Sequence, residues 1–207
     1  MAPTHPPGCQ CGDLDAHVIL QGQLSFLYPY IDRDQVVALN AEEGKHAKLL
    51  IRPWDERNQQ DEYLESDADE QLIVQVPFTG SVKLRSILIK AGPAGFTPDK
   101  LKVYANQKLD FDEATSLEVT QEFEVAVTRE VIDFAVRPAK FPTVTSLTLF
   151  FPSNHGEDTT RISFLGFKGE YSPLTRDPII TVYEAQANPA DHKKGPGLDT
   201  MAGSRIG

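Results

Sequence analysis

From Gln71 onward, apolar residues recur in short runs of period two, and a Gly or Pro signal separates one run from the next. Runs of this kind spaced roughly every ten residues point to an all-β sandwich or barrel and not to βαβ units. Leu72 to Val76 ends at Pro77, Thr79-Gly80 predicts a turn into Val82 to Ile89, and Gly92-Pro93-Ala94-Gly95 closes that second run. Leu101 to Ala105 opens the next. Phe123, Val125 and Val127 alternate with Glu122, Glu124 and Ala126, and Ile132, Phe134 and Val136 alternate with Asp133, Ala135 and Arg137. Each of these strands therefore has one wet face. Leu147, Leu149 and Phe151, then Ile162 and Phe164 beyond the polar loop Pro152 to Thr160, bring the series to about eight strands. That number suits an antiparallel jelly-roll β-sandwich. Its core is expected over about residues 65–170, with Leu72, Val74, Val76, Leu84, Phe123, Val125, Phe134, Leu149, Ile162 and Phe164 among the buried positions. Helices should be scarce: one start is visible, where Asp32 caps Arg33 to Leu39 with Gln35 at the N3 position.

The ends offer little to bury. Met1 to Gly12 combines three prolines with Cys9-Gln10-Cys11 and reads as a flexible arm, and Asn188 to Gly207, rich in Gly, Pro and Ala, reads as a flexible tail. Residues 13–187 then form a single sandwich domain. Hydrophobic residues at 40% and charged residues at 24% fit a globular chain and exclude wholesale disorder. A net charge of −10 leaves no general basic field for nucleic acid. No stretch approaches the roughly 18 apolar residues of a membrane helix, and the start has no apolar signal region. Two cysteines and no Asn-x-Ser/Thr acceptor point to a reducing cytoplasmic and nuclear setting. The negative charge is concentrated: Asp55 to Glu70 holds eight carboxylates against Arg57 alone.

Within and beyond that acidic segment the residues follow a known order. Glu65-Ser66-Asp67-Ala68-Asp69-Glu70-Gln71-Leu72, Val76-Pro77-Phe78 and Val82-Lys83-Leu84 resemble the signature of the PITH domain. Leu109-Asp110-Phe111, Pro138-Ala139-Lys140-Phe141, Val144 to Phe150, Thr159 to Gly166 and Lys168-Gly169 extend the likeness across roughly residues 25–172. Arg52 to Arg57, Tyr183-Glu184-Ala185 and Asn188 to His192 resemble the stand-alone PITH domain-containing proteins. The resemblance implies a galactose-binding-like jelly roll that acts as a docking module, with the 26S proteasome as the partner of the thioredoxin-fused member. These residues contain no Cys-x-x-Cys, so the redox chemistry of the fused member is not implied.

A monomeric, non-catalytic protein-interaction module without a cofactor is the expected function. Glu56, Asp61 and Glu62 are the first candidates for partner contact, followed by Glu65, Asp67 and Asp69 and by Asp191 and His192. Glu65, Asp67 and Asp69 also alternate as calcium ligands would, but without the Gly-punctuated spacing of an EF-hand, and Ser66, Asp67 and Asp69 suit local backbone bonds that fix entry into the strand at Leu72. Trp54 is expected to anchor the acidic segment to the sandwich. Cys9 and Cys11 with His5 and His17 supply a soft-metal ligand set, although a single residue between the cysteines is poor spacing for zinc. His46, His155 and His192 stand apart, and no Gly-x-Ser-x-Gly, His-Glu-x-x-His or phosphate-cradling Gly-rich loop is present. A small-ligand or carbohydrate-binding sandwich is the alternative by fold analogy. It calls for aromatic residues in the end loops, where Gly92 to Pro98 and Ser153 to Thr159 offer only Phe96. A thiol- or metal-dependent protein working through the N-terminal cysteines is the third reading.

Overall fold

The computed structural model of the chain describes residues 26–59 and 61–173. It is built on eight strands: β1 (Val37–Leu39), β2 (Leu64–Glu65), β3 (Leu72–Ala91), β4 (Lys100–Ala105), β5 (Gln121–Glu124), β6 (Ile132–Ala135), β7 (Val144–Phe151) and β8 (Arg161–Ser172). Every pairing is antiparallel, as the alternating pattern predicts. The fold is a galactose-binding-like jelly-roll sandwich, and β3 belongs to both of its layers. Its first part lies between β1 and β7, with Gln75 opposite Val37 and Leu72 opposite Phe151. Its second part lies between β8 and β6, with Leu88 opposite Gly166 and Ile87 opposite Phe134. β4 and β5 extend the first layer from β7, and β2 extends the second from β8.

Two expectations need correction here. Pro77 and Thr79-Gly80 neither end a strand nor make a hairpin turn: they sit inside the 20-residue β3. Pro77 cannot donate to a ladder, and its carbonyl instead accepts from Asp32 N at 3.0 Å. Register against β7 slips between Pro77 and Val82, the local irregularity by which a strand changes layer. Gly80 is required there, because a Cβ would come 2.5 Å from the Tyr171 ring. The second correction concerns the helix at Arg33 to Leu39. Only Arg33–Gln35 forms a 3₁₀ turn, Asp32 makes no side-chain cap, and Val37–Leu39 is strand β1. Val36 and Val37 are β-branched, and the edge of β3 supplies ladder partners that an isolated two-turn helix would forgo.

Side-chain parity along β3 shows how both layers feed one core. Leu72, Val74, Val76, Phe78, Val82 and Leu84 point inward on even numbers, and beyond a register shift between Leu84 and Ser86 the inward residues are Ile87 and Ile89. Nine of the ten positions expected to be buried are so; Phe123 is half-buried and tilts against Phe134 at 5.2 Å. The core also takes in Leu27, Leu50 and Ile51.

Each layer has a covered outer face. On the first, Ile73, Tyr104 and Phe150 pack with Leu109 and Ala114 under a single helix, α1 (Phe111–Ser116). Asp110 Oδ1 accepts from Glu113 N at 2.8 Å, while Glu113 Oε2 accepts from Asp110 N at 3.2 Å. This is a capping box, with Glu three residues after the capping Asp. On the second, Trp54 meets Phe164 edge-on at 6.2 Å and stacks on Phe26 at 5.1 Å.

Phe151→Ala removes a fully buried ring and is expected to cost about 3–5 kcal/mol. Asp110→Ala removes only the cap and should cost about 0.5–2 kcal/mol. Urea unfolding of the two variants checks the order.

Candidate functional site

The acidic segment is held by the buried side chain of Arg52. Its Nε donates to Leu49 O at 2.6 Å, and Nη2 donates to Glu62 O at 2.6 Å and to Ser163 O of β8 at 2.8 Å. Nη1 reaches Gln59 Oε1 at 3.3 Å. The guanidinium thus joins the turn before the segment and the Gln59 to Glu62 part of it to β8, and among the described residues no carboxylate pairs with it. Trp54 adds the apolar anchor expected of it, with the Arg57 guanidinium 4.1 Å above its ring. Neighbouring Asp55 and Glu56, like Asp61 and Glu62, are exposed, and none of these four forms an ion pair among the described residues.

Glu65, Asp67 and Asp69 serve different ends. Glu65 turns inward: it accepts from Thr159 Oγ1 at 2.7 Å and lies 3.0 Å from Arg161 Nε and 3.6 Å from Lys45 Nζ. Burial works against its charge, but the hydrogen bond of Thr159 and the positive charges of Arg161 and Lys45 outweigh it and hold the carboxyl below the usual range. Asp69 Oδ1 accepts from Gln71 N at 3.0 Å and Asn40 Nδ2 at 2.7 Å. Asn40, in the left-handed region at φ 61°, also donates to Gln71 O and accepts from Ala68 N. Asp69 thus makes the local bond expected at the entry into β3, whereas Ser66 Oγ accepts from the distant Thr160 N. Asp67 stays exposed.

Among the described residues no group of three His, Cys, Asp or Glu is placed to hold a metal. Cys9, Cys11, His5, His17, Asp191 and His192 lie outside the described residues. His155 Nε2 lies 3.0 Å from Val125 O, a bond that ties two end loops together. Phe96, the aromatic residue of those loops, is covered by the Arg161 guanidinium at 3.9 Å. Arg52 stands in the sequence only as part of the PITH-like run Arg52 to Arg57, without a role, and for Asn40 the available signal is an Asn ending an apolar run.

The PITH domain family matches residues 17–187. The chain belongs to the PITH domain family. It is 35% identical to the PITH domain-containing protein 1 of Homo sapiens over 191 residues, covering 90% of each chain. It is 34% identical to that of Dictyostelium discoideum over 187 residues, covering 89% of this chain and 93% of the relative. These names state a domain and no reaction. Solved structures share the fold at low identity. The CBM32-1 and CBM32-2 domains of Clostridium perfringens ZmpB align with a TM-score of 0.54 at 14% identity, over 75% of this chain and 38% of that one. The family 32 CBM of C. perfringens NanJ, solved with galactose, aligns with a TM-score of 0.50 at 12% identity, over 69% and 97%. The PITH-like order noted in the sequence, Glu65 to Leu72 above all, coincides with the segment that Asn40 and Arg161 hold in place.

Arg52→Ala strands three carbonyls and unties the segment from β8 at Glu62; unfolding should show a loss of about 2–4 kcal/mol. Glu65 gives a pH test. The folded state favours its charged form, so its contribution is complete above the ordinary glutamate value of 4.5 and is lost as pH falls through the lower folded value. The stability gap between the wild type and Glu65→Gln is therefore expected to be widest near neutrality and to close in acid, as followed by urea unfolding across pH.

Proposed function

We propose that this chain is a non-catalytic docking module that binds the 26S proteasome through the acidic surface of Asp55, Glu56, Asp61 and Glu62, acting as a monomer in the cytoplasm and nucleus. Membership of the PITH domain family supports a proteasome-related interaction role. The observation that carries the choice of surface is that these carboxylates are exposed and unpaired among the described residues, while the backbone beneath them is fastened by Arg52 and Trp54. A preordered charged surface loses little conformational freedom on binding, and like-signed charge of this density speeds encounter with a basic partner and sets its orientation. Asp67 continues the same exposed surface, whereas Glu65 and Asp69 are spent on internal bonds. Asp191 and His192 are a secondary candidate contact.

The test is Glu56→Lys, Asp61→Lys and Glu62→Lys combined, with binding to purified 26S proteasome measured over a salt series. Unchanged melting with weaker capture at low salt is expected, and the difference should shrink as the Debye length falls from about 10 Å at 0.1 M. Capture unchanged at every salt concentration would remove this surface from the interface.

A further inference from the structure

At the end of the sandwich where β3 finishes and β8 begins, four stretches far apart in sequence enclose a cleft of about 480 Å³. Tyr63 comes from the acidic segment, Lys90 from β3, Arg129 from the β5–β6 loop, and Arg161 and Ser163 from β8. Among the described lining residues three are cations and none is Asp or Glu, in a chain with 30 acidic and 20 basic residues.

Lys90 owes its position to β3. The register shift after Leu84 turns it to the outer face, where the Arg52-fastened segment covers it and leaves the residue only 4% exposed. An ammonium has three donors and a high cost of burial without a counter-charge. Among the described residues, its Nζ meets one neutral acceptor, Asn58 Oδ1 at 3.2 Å, and no carboxylate.

Arg161 is held by rings on two sides, with its guanidinium 3.9 Å from the Phe96 centroid and 5.0 Å from that of Tyr63. Gly92 permits this approach, since a Cβ there would meet Arg161 Cβ at 2.6 Å. Arg161 Nε is buried and, although 3.0 Å from Glu65 Oε2, is out of line for a hydrogen bond. Glu65 is also shared with Lys45, so one carboxylate serves two cations. The terminal nitrogens of Arg161 make no hydrogen bond among the described residues. Arg129 is exposed on the loop and adds a third positive charge without an ion pair there.

We propose that this cleft binds a small phosphomonoester, with Lys90 and Arg161 as the inner cations and Arg129 at the rim. The phosphate dianion supplies the acceptors that the buried ammonium and the guanidinium lack, and charge-assisted bonds to such oxygens are the strong ones. The size of the cleft is that of a small-molecule site and leaves room for the organic part of the ligand beyond the phosphate.

The experiment is amide NMR titration of the full chain at fixed ionic strength with inorganic phosphate, phenyl phosphate and acetate. Saturable shifts are expected at Ala91, Gly92, Arg129 and Ser163 with both phosphates, tighter for phenyl phosphate, and not with acetate. Lys90→Met keeps the length of the side chain and should weaken binding by about tenfold or more, and Arg129→Gln by about threefold. No saturable shifts with either phosphate would overturn the site, as would equal binding of acetate or unaltered phosphate affinity in the variants. If Lys90→Met fails to fold, exposed Arg129→Gln decides alone. Neither variant touches Glu56, Asp61 or Glu62, so this site and the docking surface stand or fall separately.

Discussion

One strand in two sheets is the constraint on which the rest of the structure depends. Because β3 lies between β1 and β7 in its first part and between β8 and β6 in its second, any slip in its register would disturb both layers together. A one-residue slip exchanges the faces of a strand, so the two irregularities are placed features. The first carries the chain between layers past Pro77 and Gly80. The second, after Leu84, returns Ile87 and Ile89 to the core and turns Lys90 outward. A positive charge beneath the surface is thus the geometric counterpart of keeping two isoleucines inside.

The cover over that outer face is joined by polarity more than by apolar area. Arg52 is surrounded by carbonyl oxygens from Leu49, Glu62 and Ser163, which solvate its charge as water would and leave the carboxylates of the segment free to face outward. Had a carboxylate neutralised Arg52, the segment would have lost part of the charge that distinguishes its surface. The same stretch serves both the acidic surface and the cationic cleft, for Asn58 meets Lys90 and Tyr63 lies under Arg161 while Glu56, Asp61 and Glu62 are exposed.

The strand pattern was legible because alternation is written locally: Ile132, Phe134 and Val136 declare a half-buried strand without reference to any partner. What was misread depended on distant context. Pro77 and Gly80 are ordinary turn signals, and only the Tyr171 ring and the need to change layer make them internal to β3. Val37 to Leu39 had a helical start signal, yet the exposed edge of β3 decided its conformation. The capping box at Asp110 was local and readable. In the candidate site, the acidic residues were visible as a run, whereas the cleft joins Tyr63, Lys90, Arg129 and Arg161, residues far apart in the chain, a meeting that no spacing rule contains.

The continuity of β3 also has a consequence for synthesis. Its downstream partners β6, β7 and β8 end at Ser172, and 172 − 91 = 81 residues separate that point from the end of β3. At roughly 5–20 residues per second, a ribosome needs about 4–16 s to make them. Until β6 is complete, 135 − 91 = 44 residues beyond β3, this long apolar strand has no ladder partner except β1, a three-residue strand already made; β7 follows 151 − 91 = 60 residues beyond β3 and β8 last of all. Lys83 and Arg85, exposed in the finished sheet, are the charges that interrupt this stretch, and they act as gatekeepers for a nascent strand before they are surface residues of a folded one.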